Sequence, residues 1–324
     1  MTEYDTSIVI PTYNDEATLA ACLESLESMN YPGSFNTIIV DGHSKDDTIS
    51  IAEKYDCDVI FEDKGTISYA RELGVEKSDS EFVAFTDADC VVPENWLSTL
   101  INHFDDNGKV AAVGGPNITP EDDSTFAKSV GDVLSLLSGA GARYGFEGKE
   151  TREIYHNPTC NVVYRREVIE EVGGFNHDLI TVDDEEMDYR IREQDYKILY
   201  TPEAEVLHYR RPSWKSFTKM GYRYGLGRAQ ATKLHPEMGE WFHFAPSSII
   251  LLLALFLGNA VRSRSWVKRF AGTLSLGVMG IVSMSVFLSA KRNRWTQLPV
   301  YVILISIWFW SWGVGFIKGL CQNT

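Results

Sequence analysis

Three long apolar runs near the end of the chain, Ala245–Val261, Phe270–Ala290 and Leu298–Ile317, contain no Asp, Glu, Lys or Arg. Each is about 17 to 21 residues long, close to what a helix needs to cross a bilayer. A buried helix of a water-soluble domain carries a polar face, and these runs have none. They are therefore expected to enter lipid.

The charge divides the chain in the same region. The first 209 residues hold 15 Lys/Arg against 43 Asp/Glu, a net of −28, and the remainder hold 15 against 2, a net of +13. A basic tail that is also apolar points to anionic lipid, not nucleic acid. Arg262, Arg264, Lys268 and Arg269 separate the first two runs, and Lys291, Arg292 and Arg294 the last two. With a cytoplasmic N-terminal domain, three spans put the first basic loop outside, against the positive-inside rule. An interfacial first run puts the second loop outside instead; three spans are expected. Ahead of the runs, residues 210–244 interleave Arg210, Arg211, Lys215, Lys219, Arg223, Arg228 and Lys233 with Trp214, Phe217, Tyr222, Tyr224 and Trp241. That is the pattern of an amphipathic segment lying on a membrane surface. The five cysteines, Cys22, Cys57, Cys90, Cys160 and Cys321, show no metal-ligand spacing and read as reduced thiols. Met1–Asp5 lacks the features of a signal peptide, so the acidic part is expected in the cytoplasm. The expected organisation is an acidic domain over 1–209, an interfacial segment over 210–244 and an all-α membrane region over 245–324.

The acidic part keeps strong periodicity. Ser7–Ile10, Thr37–Val40, Val59–Phe61 and Glu81–Thr86 read as strands, with helical spacing over Ala17–Met29, after Asp47-Thr48, and over Thr66–Glu76. Strands alternating with helices predict an α/β fold with a mostly parallel sheet. Thr12 and Asn14, then Asp41, then Asp87 and Asp89 fall just past strand C-termini, the edge where open α/β sheets bind ligands.

Asp87-Ala-Asp89 follows an apolar strand directly, and two carboxylates so placed can serve a divalent cation and a nearby ribose. A second acidic group, Asp183-Asp184-Glu185-Glu186, comes about a hundred residues later. With Ser7–Asn14, Ile39–Thr48, Gly65–Gly74 and Asn161–Phe175 in the same order, the chain resembles family 2 glycosyltransferases of the GT-A fold over roughly residues 5–230. The resemblance implies that Pro11, Thr12, Tyr13, Asp41 and Arg71 line a nucleotide pocket, with Asp87 toward the ribose or uracil. It further implies that Asp89 and His208 hold Mn2+ or Mg2+. Asp184 takes the place of the general base, its register fixed by Tyr189-Arg190-Ile-Arg192, with Asp183 and Glu185 as neighbours that could share the work.

The resemblance implies inversion of the anomeric centre, for which a carboxylate base and a metal-neutralised diphosphate suit a single displacement. The processive motif Gln-x-x-Arg-Trp is absent, since the nearest tryptophan sits in Arg211-Pro-Ser-Trp214, so one transfer per acceptor is expected. His208–Ala229 resembles members that extend lipid-linked glycans for surface polysaccharide or protein glycosylation. The expected substrates are a nucleotide-sugar donor and a polyprenyl- or dolichyl-linked glycan at the cytoplasmic face of a cell membrane. Gly114-Gly-Pro116 and Thr159-Cys-Asn161 are candidate acceptor contacts. The alternatives are transfer to a bare polyprenyl phosphate, and a non-catalytic scaffold binding nucleotide-sugar or lipid.

Overall fold

The computed structural model describes residues 5–105, 107–137, 149–210, 213–260 and 263–322. Residues 1–4, Arg211, Val261 and Arg262, used in the sequence reading, lie outside the described residues. In chain order the elements are β1 (Thr6–Thr12), α1 (Leu19–Glu27), β2 (Phe35–Asp41), α2 (Thr48–Ala52), β3 (Asp58–Phe61), α3 (Ile67–Lys77) and β4 (Phe82–Thr86). Then come β5 (Cys90–Val91), α4 (Trp96–Ile101), β6 (Val110–Gly114), β7 (Asn117–Ile118), α5 (Thr125–Leu137), β8 (Arg152–Glu153) and β9 (Asn161–Arg165). The chain continues through α6 (Arg166–Glu171), α7 (Asp183–Glu193), β10 (Lys197–Tyr200), β11 (Val206–His208) and α8 (Trp214–Leu234). It ends with α9 (Trp241–Gly258), α10 (Arg264–Lys291) and α11 (Leu298–Cys321). These elements fall into two compact units, Met1–Asp123 with Ser138–Arg210, and Ser124–Leu137 with Arg211–Thr324. Helix α5 thus lies within the range read as one domain, 1–209, and groups with the second unit.

The first unit is built on an eight-stranded sheet of order β3-β2-β1-β4-β9-β6-β10-β8. Strands β3, β2, β1 and β4 run parallel, while β9 is antiparallel to both its neighbours. Strand β1 is central, so both its faces are covered, and its sequence is a continuous apolar run. Ile8 and Ile10 enter the core on one face and Val9 the core on the other, as a period of two requires. Each fully buried side chain of this size contributes about 1.5–3 kcal/mol. Helix α3 is capped by Thr66, whose hydroxyl accepts from the Tyr69 amide. It can lie close against β1 because residue 74 is glycine: a Cβ there would meet Val9 Cγ1 at 2.3 Å.

A second sheet, β5-β11-β7, has three very short strands. Its antiparallel register sets His208 opposite Cys90, which follows Asp89 in the chain.

In the second unit α8 meets α11 backbone to backbone. A Cβ on Gly225 would meet the Trp312 carbonyl oxygen at 2.1 Å, and one on Gly315 the Tyr222 carbonyl oxygen at 2.0 Å. The aromatic residues of α8 pack on the same helix, with Phe217 and Tyr224 against Trp308. Helix α5 is tied in by Asp132, which meets Arg292 and Arg294 at 3.0 Å and accepts from the Tyr301 hydroxyl at 2.7 Å. Helices over Trp241–Gly258, Arg264–Lys291 and Trp295–Cys321 are long and apolar enough to cross a membrane. Leu276 and Met279 of α10 are 69% and 62% exposed, an apolar face with no protein against it.

Candidate functional site

The C-terminal ends of β1, β2 and β3 come level at one edge, because Thr12 pairs with Asp41 and Asp41 with Phe61. Asp41 is fully buried there and accepts from the Thr12 hydroxyl at 3.0 Å, the Ser44 amide at 2.7 Å and the Ser44 hydroxyl at 2.6 Å. It therefore braces the turn after β2 from beneath. Pro11 and Thr12 are the last two residues of β1, and Tyr13 stands 59% exposed just beyond them. Asn14 adopts a left-handed φ of 57° and accepts from the Lys45 amide at 2.8 Å, locking the two turns together. Glu62, one residue past β3, accepts from the amides of Lys64 and Gly65, both at 2.8 Å.

Strand β4 delivers Asp87 and Asp89. Backbone contacts of Tyr209 and Cys90 hold the turn: the Cys90 amide donates to the Asp87 carbonyl, and the Tyr209 amide to that of Asp89, both at 3.0 Å. His208 Nε2 lies 3.2 Å from Asp89 Oδ1. One ligand atom each from Asp87, Asp89 and His208 falls within 4.8 Å of the other two. Burial, with Cys160 and Asp89 nearby, pushes the Asp87 carboxyl up to about 7. Burial works against a charged His208, yet neighbouring Asp89 holds its imidazole up, to about 9. Two carboxylates and an imidazole that crowd one another in this way form a donor set suited to Mn2+ or Mg2+, with water completing the shell.

The four acids at the start of α7 separate by environment. Asp183 is 2% exposed and pairs with Arg71 at 2.7 Å. Glu186 is 1% exposed and meets Arg190 through both its oxygens, at 2.9 and 2.8 Å. Asp184 stays partly open, with the Thr159 hydroxyl 3.3 Å and the Thr159 amide 3.4 Å from Oδ2. Glu185 is also partly exposed. The residue before the helix, Val182, has a φ of 70° and is 3% exposed. A β-branched residue in that region is strained by about 1–3 kcal/mol, and such strain gathers at functional sites.

The β4–β9 pairing explains why the acid run and the Asp87 turn share one edge. Thr86 pairs with Asn161, so Asp87 and the Thr159-Cys160 turn leave adjacent strands side by side. Arg71 bridges the two: burial opposes its charge, but Asp183, Asp184 and Asp87 together hold it above the usual guanidinium range. Its Nε is buried with no hydrogen-bond partner.

Thr159 lies against Asp184, whereas Asn161 belongs to the scaffold. Asn161 is fully buried, accepts from Trp96 Nε1 at 2.8 Å and donates to the carbonyls of Pro116 and Ala204 at 2.9 and 2.7 Å. Gly114 and Gly115 are buried too, and a Cβ on either would collide with Asn157 or Ala204. The acceptor contacts expected at Asn161 and at Gly114-Gly-Pro116 therefore become internal packing.

Sequence reasoning missed a chain of buried groups behind Asp184. His156 Nδ1 lies 2.8 Å from Asp188 Oδ2, and the Tyr164 hydroxyl donates to Asp188 Oδ1 at 2.8 Å. His156 Nε2 is buried without a hydrogen-bond partner, 3.9 Å from Asp184 Oδ2. Burial pushes the Asp188 carboxyl up, opposed by His156, Tyr164 and the Asn157 amide. One signal was available: Asp188 is four residues after Asp184, hence on the same helical face. Nothing in the local sequence marks His156.

Known proteins share this fold. Residues 7–173 match the family described as glycosyl transferase family 2. Glycosyltransferase AglE of Haloferax volcanii is 27% identical over 235 residues, covering 70% of this chain and 74% of its own. A Methanococcus voltae protein is 24% identical over 335 residues, 98% of each chain. Its name is dolichyl N-acetyl-alpha-D-glucosaminyl phosphate 3-beta-D-2,3-diacetamido-2,3-dideoxy-beta-D-glucuronosyltransferase. Among solved structures, the mannosyltransferase PcManGT of Pyrobaculum calidifontis, in complex with GDP-Man and Mn2+, superposes with a TM-score of 0.59 at 18% identity. That likeness covers 98% of this chain and 87% of the other, and it establishes the shared fold. An open, mostly parallel sheet with its acidic edge after β4, matched by the family over half its length, makes this chain a GT-A-fold glycosyltransferase that belongs to glycosyl transferase family 2.

Proposed function

We propose that this enzyme transfers a single sugar, with inversion, from a nucleotide diphosphate-sugar to a lipid-linked saccharide at the cytoplasmic face of a membrane. The observation that carries the reading is the contrast within 183–186: Asp183 and Glu186 are buried against arginines, while Asp184 is held at the partly open edge by Thr159. Asp184 is then the group that takes the proton of an acceptor hydroxyl. His156, held by Asp188 and Tyr164, keeps a ring edge toward Asp184 and positions it.

Tyr13 offers an exposed ring to the base of the nucleotide, on a turn that Pro11 and Thr12 begin and Asp41 braces. The unfilled Nε of Arg71 suits a phosphate oxygen, and Asp87 lies toward the ribose. Asp87, Asp89 and His208 would hold Mn2+ or Mg2+, in keeping with the PcManGT complex. When bound, such a cation supplies Lewis-acid stabilisation of the charge gathering on the departing diphosphate. A lipid-linked acceptor is supported by the Methanococcus voltae relative, whose name specifies a dolichyl phosphate sugar and whose likeness spans both chains. It is supported also by α9, α10 and α11, which we read as three spans that keep the transferase beside its membrane-bound acceptor.

The test uses membranes containing the full-length enzyme, a panel of nucleotide-sugars, Mn2+ or Mg2+, and extracted lipid-linked glycans, followed by mass spectrometry of the lipid fraction. A metal-dependent gain of one sugar, lost in Asp89→Ala and in Asp184→Asn, is the expected result. A product that persists in Asp184→Asn would move the acceptor to a bare lipid phosphate, which needs no base. Donor binding without any consumption would favour a scaffold.

A further inference from the structure

Three residues beside the carboxylate set have no part in the transfer as derived above, or only a shared one. Cys90, Cys160 and His208 each bring a ligand atom within 4.8 Å of the other two. They come from three separate places in the chain, so their spacing in sequence gave no hint of a site. The fold assembles them. Cys90 faces His208 across the β5–β11 ladder, and Cys160 sits at the mouth of the β4–β9 pair, where its carbonyl accepts from the Thr86 hydroxyl at 3.2 Å. Both thiols are buried, Cys90 fully and Cys160 to 4% exposure.

We propose that Cys90, Cys160 and His208 form a second metal site, selective for a thiophilic divalent cation such as Zn2+. Two thiolates and an imidazole with a fourth position left to water or Asp89 is a donor set zinc accepts in proteins. It differs in kind from the adjacent pair Asp87 and Asp89, whose hard oxygens suit Mn2+ or Mg2+. A buried lone thiol packs as a small apolar group and needs no explanation. Here two thiols and an imidazole are gathered into one buried cluster, with Cys160 against both Cys90 and His208, a convergence of ligand atoms that packing alone does not call for. Cys22, Cys57 and Cys321 join no such cluster among the described residues. Loading the site replaces two S–H bonds with two metal–sulfur bonds and releases two protons to solvent.

His208 belongs to both sets. A thiophilic ion on the cysteines draws the imidazole away from Asp87 and Asp89, so the enzyme becomes sensitive to such ions. The thiol site stands whether or not the carboxylate set serves the donor's cation; only this coupling rests on the proposed function.

The first test is X-ray absorption on the unaltered full-length protein loaded with Zn2+. Two sulfur neighbours at about 2.3 Å with a nitrogen at about 2.0–2.1 Å are expected. A shell of oxygen and nitrogen alone would overturn the proposal without recourse to any variant. The second test replaces zinc with Co2+ and follows the thiolate-to-cobalt charge-transfer band in the near ultraviolet. The band should appear in the parent and in Cys57→Ser and Cys321→Ser, and vanish in Cys90→Ser and Cys160→Ser. Its persistence in the doubly substituted C90S/C160S protein would assign the sulfur to other cysteines and sink the idea. For the coupling, Zn2+ should inhibit transfer at an about ten-fold higher concentration in Cys160→Ser than in the parent. Equal inhibition in both, with the zinc–sulfur shell intact in the parent, would remove the coupling and leave the site.

Discussion

The two units fill their interiors by opposite means. The first buries charge: Arg71 with Asp183, Glu186 with Arg190, and Asp188 with His156 and Tyr164 all lie within or behind the edge that carries Asp184. The second buries backbone against backbone, using Gly225 and Gly315 to bring α8 and α11 together. Its described buried charges are Asp132, met by the half-buried Arg292 and Arg294, and Arg228 of α8. Ion pairs taken out of water cost desolvation that their attraction only partly offsets, so they are poor glue. What they do well is hold a carboxylate in one orientation, which is what a base requires. Helices read as lying in lipid gain little from apolar contact as such and associate through close packing and a few polar links. The contrast therefore separates a unit organised for geometry from one organised for adhesion.

Four substitutions sharpen or break that contrast. The largest effect belongs to Asp184→Asn, which should lower the transfer rate by about 10²–10⁴-fold while nucleotide-sugar affinity by calorimetry stays within error. A matched loss of affinity would mean that the carboxylate serves the donor and not the acceptor. Next is Arg71→Met, which strands Asp183 in the interior and should cost about 3–5 kcal/mol of stability in denaturant unfolding of the first unit. Adding Asp183→Leu should recover most of it; failure to recover would show the pair to be more than a mutual neutralisation.

His156→Gln tests whether the buried chain behind Asp184 reaches the chemistry. It should cost about 10²-fold in kcat, the lower end of general-base contributions, with KM for donor unchanged. A fall in donor affinity without a kcat effect would return His156 to a purely structural role. The smallest effect is expected in the other unit. Gly225→Ala drives a methyl group toward the Trp312 carbonyl and should destabilise the helical unit by about 1–3 kcal/mol in detergent, with nucleotide binding intact. Loss of nucleotide binding in that variant would erase the separation drawn above.

Much of the first unit is legible in the chain. Strands β1, β2 and β4 are continuous apolar runs because they are covered on both faces, and each ends on the polar residue that marks the ligand edge. Asp41, Asp87 and Asp89 could be picked out for the same reason, whereas Asp184, at the start of α7, was named through resemblance. His208 could be named only through resemblance: its strand has three residues, too few for any period, and its place depends on pairing with Cys90. Arg71 and Asp183 lie 112 residues apart, and a pair of that kind leaves no local trace. The same holds for the cysteines, whose scattered spacing suggested nothing until β5, β9 and β11 were brought together. The three long apolar helices were legible from composition, whereas the attachment of α5 to them was not. That helix carries an ordinary amphipathic pattern, and an apolar face does not say which partner will cover it.

The glycine contact between α8 and α11 has a consequence for the order of events on the ribosome. Residues 214–234 emerge well before residues 298–321, and α5 earlier still. Both then wait, surfaces uncovered, for a partner synthesised last among the described helices. Chains elongate at about 5–20 residues per second, so this interval is seconds long and far exceeds the time a helix needs to form. During it the acidic sheet can close on its own cores, but α8 lacks the glycine-lined face of α11 that it packs on. Assembly of the second unit is thus timed by translation, and a pause or a break before Leu298 would leave the first unit folded and α8 without the helix it packs on.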